Sequence, residues 1–186
     1  MTAVRAVPSL AVLAVAAFAA GCASSGAASA PEPEAAGRDH AAAVFAHFKG
    51  LAGTWKGDGE MGGNGQKNPV QVAYRLTAGG SAVEETLFCG SPHEMVTLYH
   101  LDGPRMLLTH YCAAGNQPTM VLVPGDDPAK PQFEFLRATN LADPKEGHMH
   151  RASFDFTEAN RLRSRWTFFN DGKADGDAVI DVRKAN

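Results

Sequence analysis

The spacing of hydrophobic positions changes once along this chain. In HAAAVFAHFKG, residues 40–50, Val44, Phe45 and Phe48 fall on one helical stripe. Asp39 is placed to cap its start and Gly50 to end it. From Gly53 onward the period is two. Alternation predicts strands over 53–60, 69–77, 81–89, 94–101, 105–112, 119–124, 132–139, 148–156, 161–169 and 176–184. Between them lie clusters such as AGG, DGP, AAGNQP and NDGKAD, whose residue types supply turn geometry. Consecutive strands joined by short turns become antiparallel neighbours. Ten of them close most simply into a barrel, because closure leaves no unpaired edge. The expected fold is all-β: an antiparallel up-and-down barrel of about ten strands behind a short N-terminal helix.

The first residues follow a different pattern. Arg5 precedes an apolar run from Val7 to Ala20, too short to span a bilayer, which reads as a secretion signal. Its end, Ala19-Ala20-Gly21-Cys22, resembles the cleavage box of bacterial lipoproteins, with Ala19 where leucine is usual. That resemblance implies a lipid on Cys22. Ala23, in place of an inner-membrane retention aspartate, implies outer-membrane anchoring with the protein facing the periplasm. The alternative is plain secretory cleavage after Ala28-Ser29-Ala30. Small residues with Pro and Glu make 22–38 a tether. The organisation expected is therefore a signal peptide at 1–21, a tether at 22–38 and a barrel domain at 39–186.

Charge narrows the partners. Lys and Arg number 17 against 20 Asp and Glu, with no basic block, so nucleic acid is not an expected partner. No second apolar span follows the leader, so only the lipid would reach the membrane.

LAGTWKGDGE, residues 51–60, carries the Gly-x-Trp of the calycin barrels, which include lipocalins and fatty-acid-binding proteins. Its longer form, Gly53-x-Trp55-x-Gly57-x-Gly59, is similar to that of the haem-holding nitrobindins. Residues 42–184, with GGSAVEETLF, HEMVTLYHLDG, LTHYCAAGNQP and GHMHRASFDF, resemble an uncharacterised family of secreted bacterial lipocalin-like proteins. The resemblance implies the barrel and no defined activity. It also implies that Trp55 plugs one end under a basic residue of the last strand, here Arg183, at the same end by alternation of strands. In nitrobindins the iron-binding histidine sits on the C-terminal strand. GDAVIDVRK holds none, so no haem ligand is carried over.

Alternation of strand direction also places the polar candidates. His93, His110, Cys112, Asn116, Gln117, Asn140, His148 and His150 fall at one rim, beside Cys89. His148, His150, Ala152, Phe154 and Phe156 share a strand face, as do Leu162, Ser164, Trp166 and Phe168; apolar faces turn inward. On the fifth strand, Met106, Leu108, His110 and Cys112 are the favoured inward set. The leading expectation is non-catalytic binding of a small, partly apolar ligand in the lumen. Tyr74, Leu108, Phe135, Phe154, Trp166 and Phe168 would form its wall. His110, Asn116, Gln117, His148 and His150 would orient the ligand.

Two other readings compete with it. His110, Cys112, His148 and His150 are ligand types suited to zinc or copper, in a metalloprotein or metalloenzyme. Their strands stand roughly 15 Å apart at the usual strand spacing, which works against one shared ion. The third reading is an envelope interaction protein whose barrel is packed shut. Cys89 and Cys112 end strands separated by another, roughly 10 Å apart and beyond disulfide reach unless a loop bends, so they are expected as separate thiols. Glu84 and Glu85 point to opposite faces and do not form an acid–base pair. No cofactor is expected; haem, through the nitrobindin likeness, and zinc are the alternatives.

Overall fold

The computed structural model describes residues 33–185; the leader, Cys22 and most of the tether lie outside them. Helix α1 (Pro33–Gly50) is followed by β1 (Gly53–Met61), β2 (Lys67–Thr77), β3 (Ala82–Leu87), β4 (Met95–Asp102) and β5 (Arg105–Tyr111). The remaining strands are β6 (Gln117–Leu122), β7 (Gln132–Thr139), β8 (His148–Asp155), β9 (Arg161–Asn170) and β10 (Lys173–Lys184). Each pairs antiparallel with its sequence neighbours, and β10 closes on β1, giving the ten-stranded barrel that the alternation predicts. The helix starts at Pro33 rather than at Asp39, within the stretch expected to be tether.

The helix plugs one end. Ala41, Val44, Phe45 and Phe48, spaced at three and four, are all buried. Phe48 stacks on Tyr99 and meets Phe133, Phe154 and Phe156 edge-on. His40 lies against Gly125 of the β6–β7 loop, so the helix covers the end carrying the β4–β5, β6–β7 and β8–β9 turns.

The strands read as expected from alternation. On β9, Leu162, Ser164 and Trp166 are buried between exposed Arg163 and Arg165. On β5, Met106, Leu108 and His110 are the inward set. The regular pattern fails toward the far rim, the end opposite the helix. Register shifts occur at Thr119/Met120, Met149/Arg151 and Ala174/Asp177. The β7–β8 ladder runs only from Gln132↔Ser153 to Glu134↔Arg151, so the two strands part before the rim. Bulges of this kind are common where a barrel re-aims its strands.

The expected cover over Trp55 needs correction. Arg183 does not cover Trp55. The cross-strand partner of Trp55 is Lys184, whose ammonium lies 5.7 Å from the ring centre. Arg183 turns outward and donates to Glu158 at 2.7 Å. Trp55 is otherwise placed as expected, buried, with its indole N–H donating to the Leu51 carbonyl at 2.7 Å.

Candidate functional site

Halfway along the lumen the inward faces of β2, β3, β4, β5 and β9 carry polar groups instead of aliphatic ones. Glu85 is only 1% exposed. Strand register sets Tyr74 and Thr97 directly opposite it, and His110 opposite Thr97. The Tyr74 hydroxyl donates to one carboxylate oxygen at 2.5 Å and Tyr99 to the other at 2.6 Å. Thr97 also hydrogen-bonds Glu85, and its Oγ1 lies 2.9 Å from His110 Nδ1.

Burial pushes the Glu85 carboxyl above the usual range, against the pull of its three hydroxyl partners. Burial, and then the neighbouring charge of Glu85, raise both phenols well above theirs. Burial lowers His110 from 6.5 to about 4, so its ring is neutral at ordinary pH. None of the ion pairs among the described residues reaches Glu85. The Glu85–Thr97–His110 chain closes with its protons running in either direction. With Glu85 ionised, Thr97 donates to it and accepts from His110 Nδ1–H, leaving Nε2 an acceptor. With Glu85 protonated, the chain reverses and Nε2 carries the proton.

Among the described residues, three buried side-chain atoms have no hydrogen-bond partner: His110 Nε2, Trp166 Nε1 and Asn116 Oδ1. All three residues are on the list of expected ligand contacts. The rings of His110 and Trp166 are 5.0 Å apart. Asn116 lies toward the rim from His110, in a turn closed by Cys112 N–H to the Asn116 carbonyl at 3.1 Å. Its Nδ2 donates to the Gly147 carbonyl at 2.8 Å, which fixes Oδ1 as the atom left over. Buried polar atoms are nearly always paired, so three gathered toward one half of a barrel form a distinct feature.

The other expected contacts are engaged with the protein itself. Gln117 accepts from Thr139 and donates to the Gly115 carbonyl. His148 uses both ring nitrogens, Nδ1 with the Glu146 carbonyl at 2.7 Å and Nε2 with His150 Nδ1 at 3.0 Å. His150 occupies the β8 bulge and does not keep the inward alternation with Ala152 and Phe154. Its ring is instead stacked between Phe135 and Phe169, at 4.6 and 3.9 Å. Phe168 packs against Gly147, where a Cβ would stand 2.5 Å from the ring. Phe154 meets Trp166 edge-on.

Among the described residues no three His, Cys, Asp or Glu side chains converge as a metal set. The expected quartet is divided: His110 faces Trp166, the His148–His150 pair fills the β7–β8 gap, and Cys112 is a half-buried free thiol, as is Cys89. The larger concavities open on the outside of the barrel. One of about 720 Å³ runs over the outer faces of β1, β9 and β10, where Arg161 and Arg165 pair with Asp181 and Asp177.

Periodicity could have located the polar belt. Val83, Glu85 and Leu87 alternate, so Glu85 falls on an apolar inward face, and Thr97 and Tyr99 do the same on β4. The signal missed was a carboxylate at a core position with tyrosines on both neighbouring strands.

By sequence, the chain matches no family model and no curated protein. Among solved structures it is similar to Rv2717c from M. tuberculosis, at 12% identity and a TM-score of 0.53, over 77% of this chain and 98% of that one. It is also similar to a protein of unknown function of the DUF3598 family from Nostoc punctiforme PCC 73102, at 10% identity and a TM-score of 0.49. That match covers 74% of this chain, which spans about half (49%) of the Nostoc protein. At such identities the likeness is one of fold.

Proposed function

We propose that this protein is an envelope lipoprotein whose barrel binds a small, partly apolar ligand without transforming it. The observation that carries this reading is the trio of buried atoms without protein partners, His110 Nε2, Trp166 Nε1 and Asn116 Oδ1. Leaving such atoms unpaired costs about 1–3 kcal/mol each, a cost that a bound polar group would relieve. Beyond the polar belt the barrel interior is lined by apolar and aromatic side chains, as small-molecule sites are. The helix closes one end, so entry is from the far rim. There Met95 and Met149 pack half-buried against the core, and unbranched thioethers can move aside at little cost.

The anchoring half of the proposal rests on the leader and on Cys22. No helix among the described residues is long and apolar enough to cross a membrane. A lipid on Cys22 would hold the barrel at the membrane through the segment that precedes α1.

Native mass spectrometry of protein extracted from the cell envelope tests binding. A small-molecule adduct that is lost on denaturation supports the reading; repeated preparations carrying none reject it. Intact-mass analysis of the N-terminal peptide tests the anchor. Acyl mass on Cys22, and release of a Cys22→Ala protein from the membrane fraction, is the expected result.

A further inference from the structure

The unpartnered atoms also constrain the ligand, on the premise that the lumen is its site. Trp166 Nε1 can only donate, so the ligand must offer it an acceptor. Asn116 Oδ1 can only accept, because Nδ2 is committed to the Gly147 carbonyl, so the ligand must also offer a donor. His110 Nε2 takes either role according to the direction of the Glu85–Thr97 chain beneath it.

Charge is excluded on both sides. No lysine or arginine is among the buried residues described, so a carboxylate or phosphate head would enter without a counter-ion. A cationic head finds Glu85 already engaged at both oxygens by Tyr74 and Tyr99.

We infer that the ligand's head group is uncharged and presents a carbonyl-type acceptor beside an N–H donor, as a primary or secondary amide or a lactam does. The apolar remainder of the ligand would lie toward Met95, Met149 and the rim. Trp166 and His110 act here as specificity residues, selecting a head group rather than reacting with it.

Three probes of matched length separate the possibilities: octanamide, methyl heptyl ketone and octanoate, titrated into the full chain at about pH 8, where the acid is ionised. The chain has 2 tryptophans, so the Trp166 indole N–H resonance is assigned by its loss in Trp166→Phe. Octanamide is expected to shift that resonance and to bind about tenfold or more tightly than either other probe. Trp166→Phe and His110→Leu should each erase the preference.

Equal affinity for all three probes in the unmodified protein would overturn the head-group assignment and leave lumen binding standing. Tighter binding of octanoate would overturn it in the same way. Failure of every probe to bind or to move the Trp166 resonance would overturn both. The comparison among probes needs only the unmodified chain, so a variant that misfolds does not obscure it.

Discussion

Gly57 and Asp181 meet across the β1–β10 seam more closely than any side chain permits. A Cβ built on Gly57 would stand 2.1 Å from the Asp181 carbonyl oxygen and 2.8 Å from the Val182 Cα. The obstacle is backbone, so no rotamer change relieves it. Two positions on, a Cβ at Gly59 would meet only Val70 and Met61 side chains, at 3.7 and 3.8 Å. The two glycines of the Trp55-x-Gly57-x-Gly59 motif are therefore unequal. Gly57→Ala should destabilise the barrel by about 1–3 kcal/mol or more through the forced shift of β10. Gly59→Ala should be within about 1 kcal/mol of neutral. Urea unfolding of both variants decides; equal losses would mean that seam closeness does not fix Gly57.

Trp55 and its basic cover give a second prediction at the same seam. Lys184→Ala should cost about 0.5–1 kcal/mol, the worth of an exposed cation over an indole. Arg183→Ala should cost less, because its partner Glu158 is itself exposed and solvent screens the pair. Thermal melts of the two single variants check the order. A larger loss at Arg183 would contradict the register.

This seam shows where the sequence is legible. Alternation from Ala178 through Ile180 and Val182 puts Lys184, not Arg183, on the inward face. Arg183 lies one residue off that face, and in a strand a one-residue step reverses the side. Strand number, order and rim were readable because turns and period-two runs are local. The inward set on β5 was readable for the same reason. His150 was not, because the β8 bulge breaks the alternation and a bulge is set by neighbouring strands. Nor was the engagement of Glu85 by Tyr74 and Tyr99. That depends on the register between neighbouring strands, a non-local fact.

Acid should destabilise the protein through His110. Its folded pKa, about 4, lies below the ordinary 6.5, so the unfolded chain binds the proton more readily. The stability tied to the neutral ring is intact above 6.5 and is lost as pH falls toward 4. The loss by the lower pH is about 3 kcal/mol. Glu85 works in the opposite sense. Its folded pKa is raised, so its contribution is full below the ordinary carboxyl value and fades as pH rises through the folded value. Variants separate the two. From pH 7 to 4, His110→Leu should gain on the unmodified protein by about 3 kcal/mol, and Glu85→Gln should gain on it in the alkaline direction. The check is the urea midpoint followed across pH. A constant difference from His110→Leu would show that the ring is not held neutral by burial.

His148 and His150 should act on the scaffold rather than on the ligand. His148 spends both ring nitrogens inside the protein, and His150 is fixed between Phe135 and Phe169 where β7 and β8 no longer pair. Their rings thus bridge a gap in the sheet. His148→Ala strands the Glu146 carbonyl and His150 Nδ1 and should cost about 1–3 kcal/mol. His150→Ala forfeits ring stacking worth about 0.5–1.5 kcal/mol. Because the two share a hydrogen bond, the double variant should cost less than the two losses together. Octanamide affinity should be nearly unchanged in His148→Ala and should fall in His110→Leu. Parallel unfolding and probe titrations on the same preparations distinguish the roles. A folded His148→Ala protein that loses affinity as His110→Leu does would return the rim histidines to the binding site.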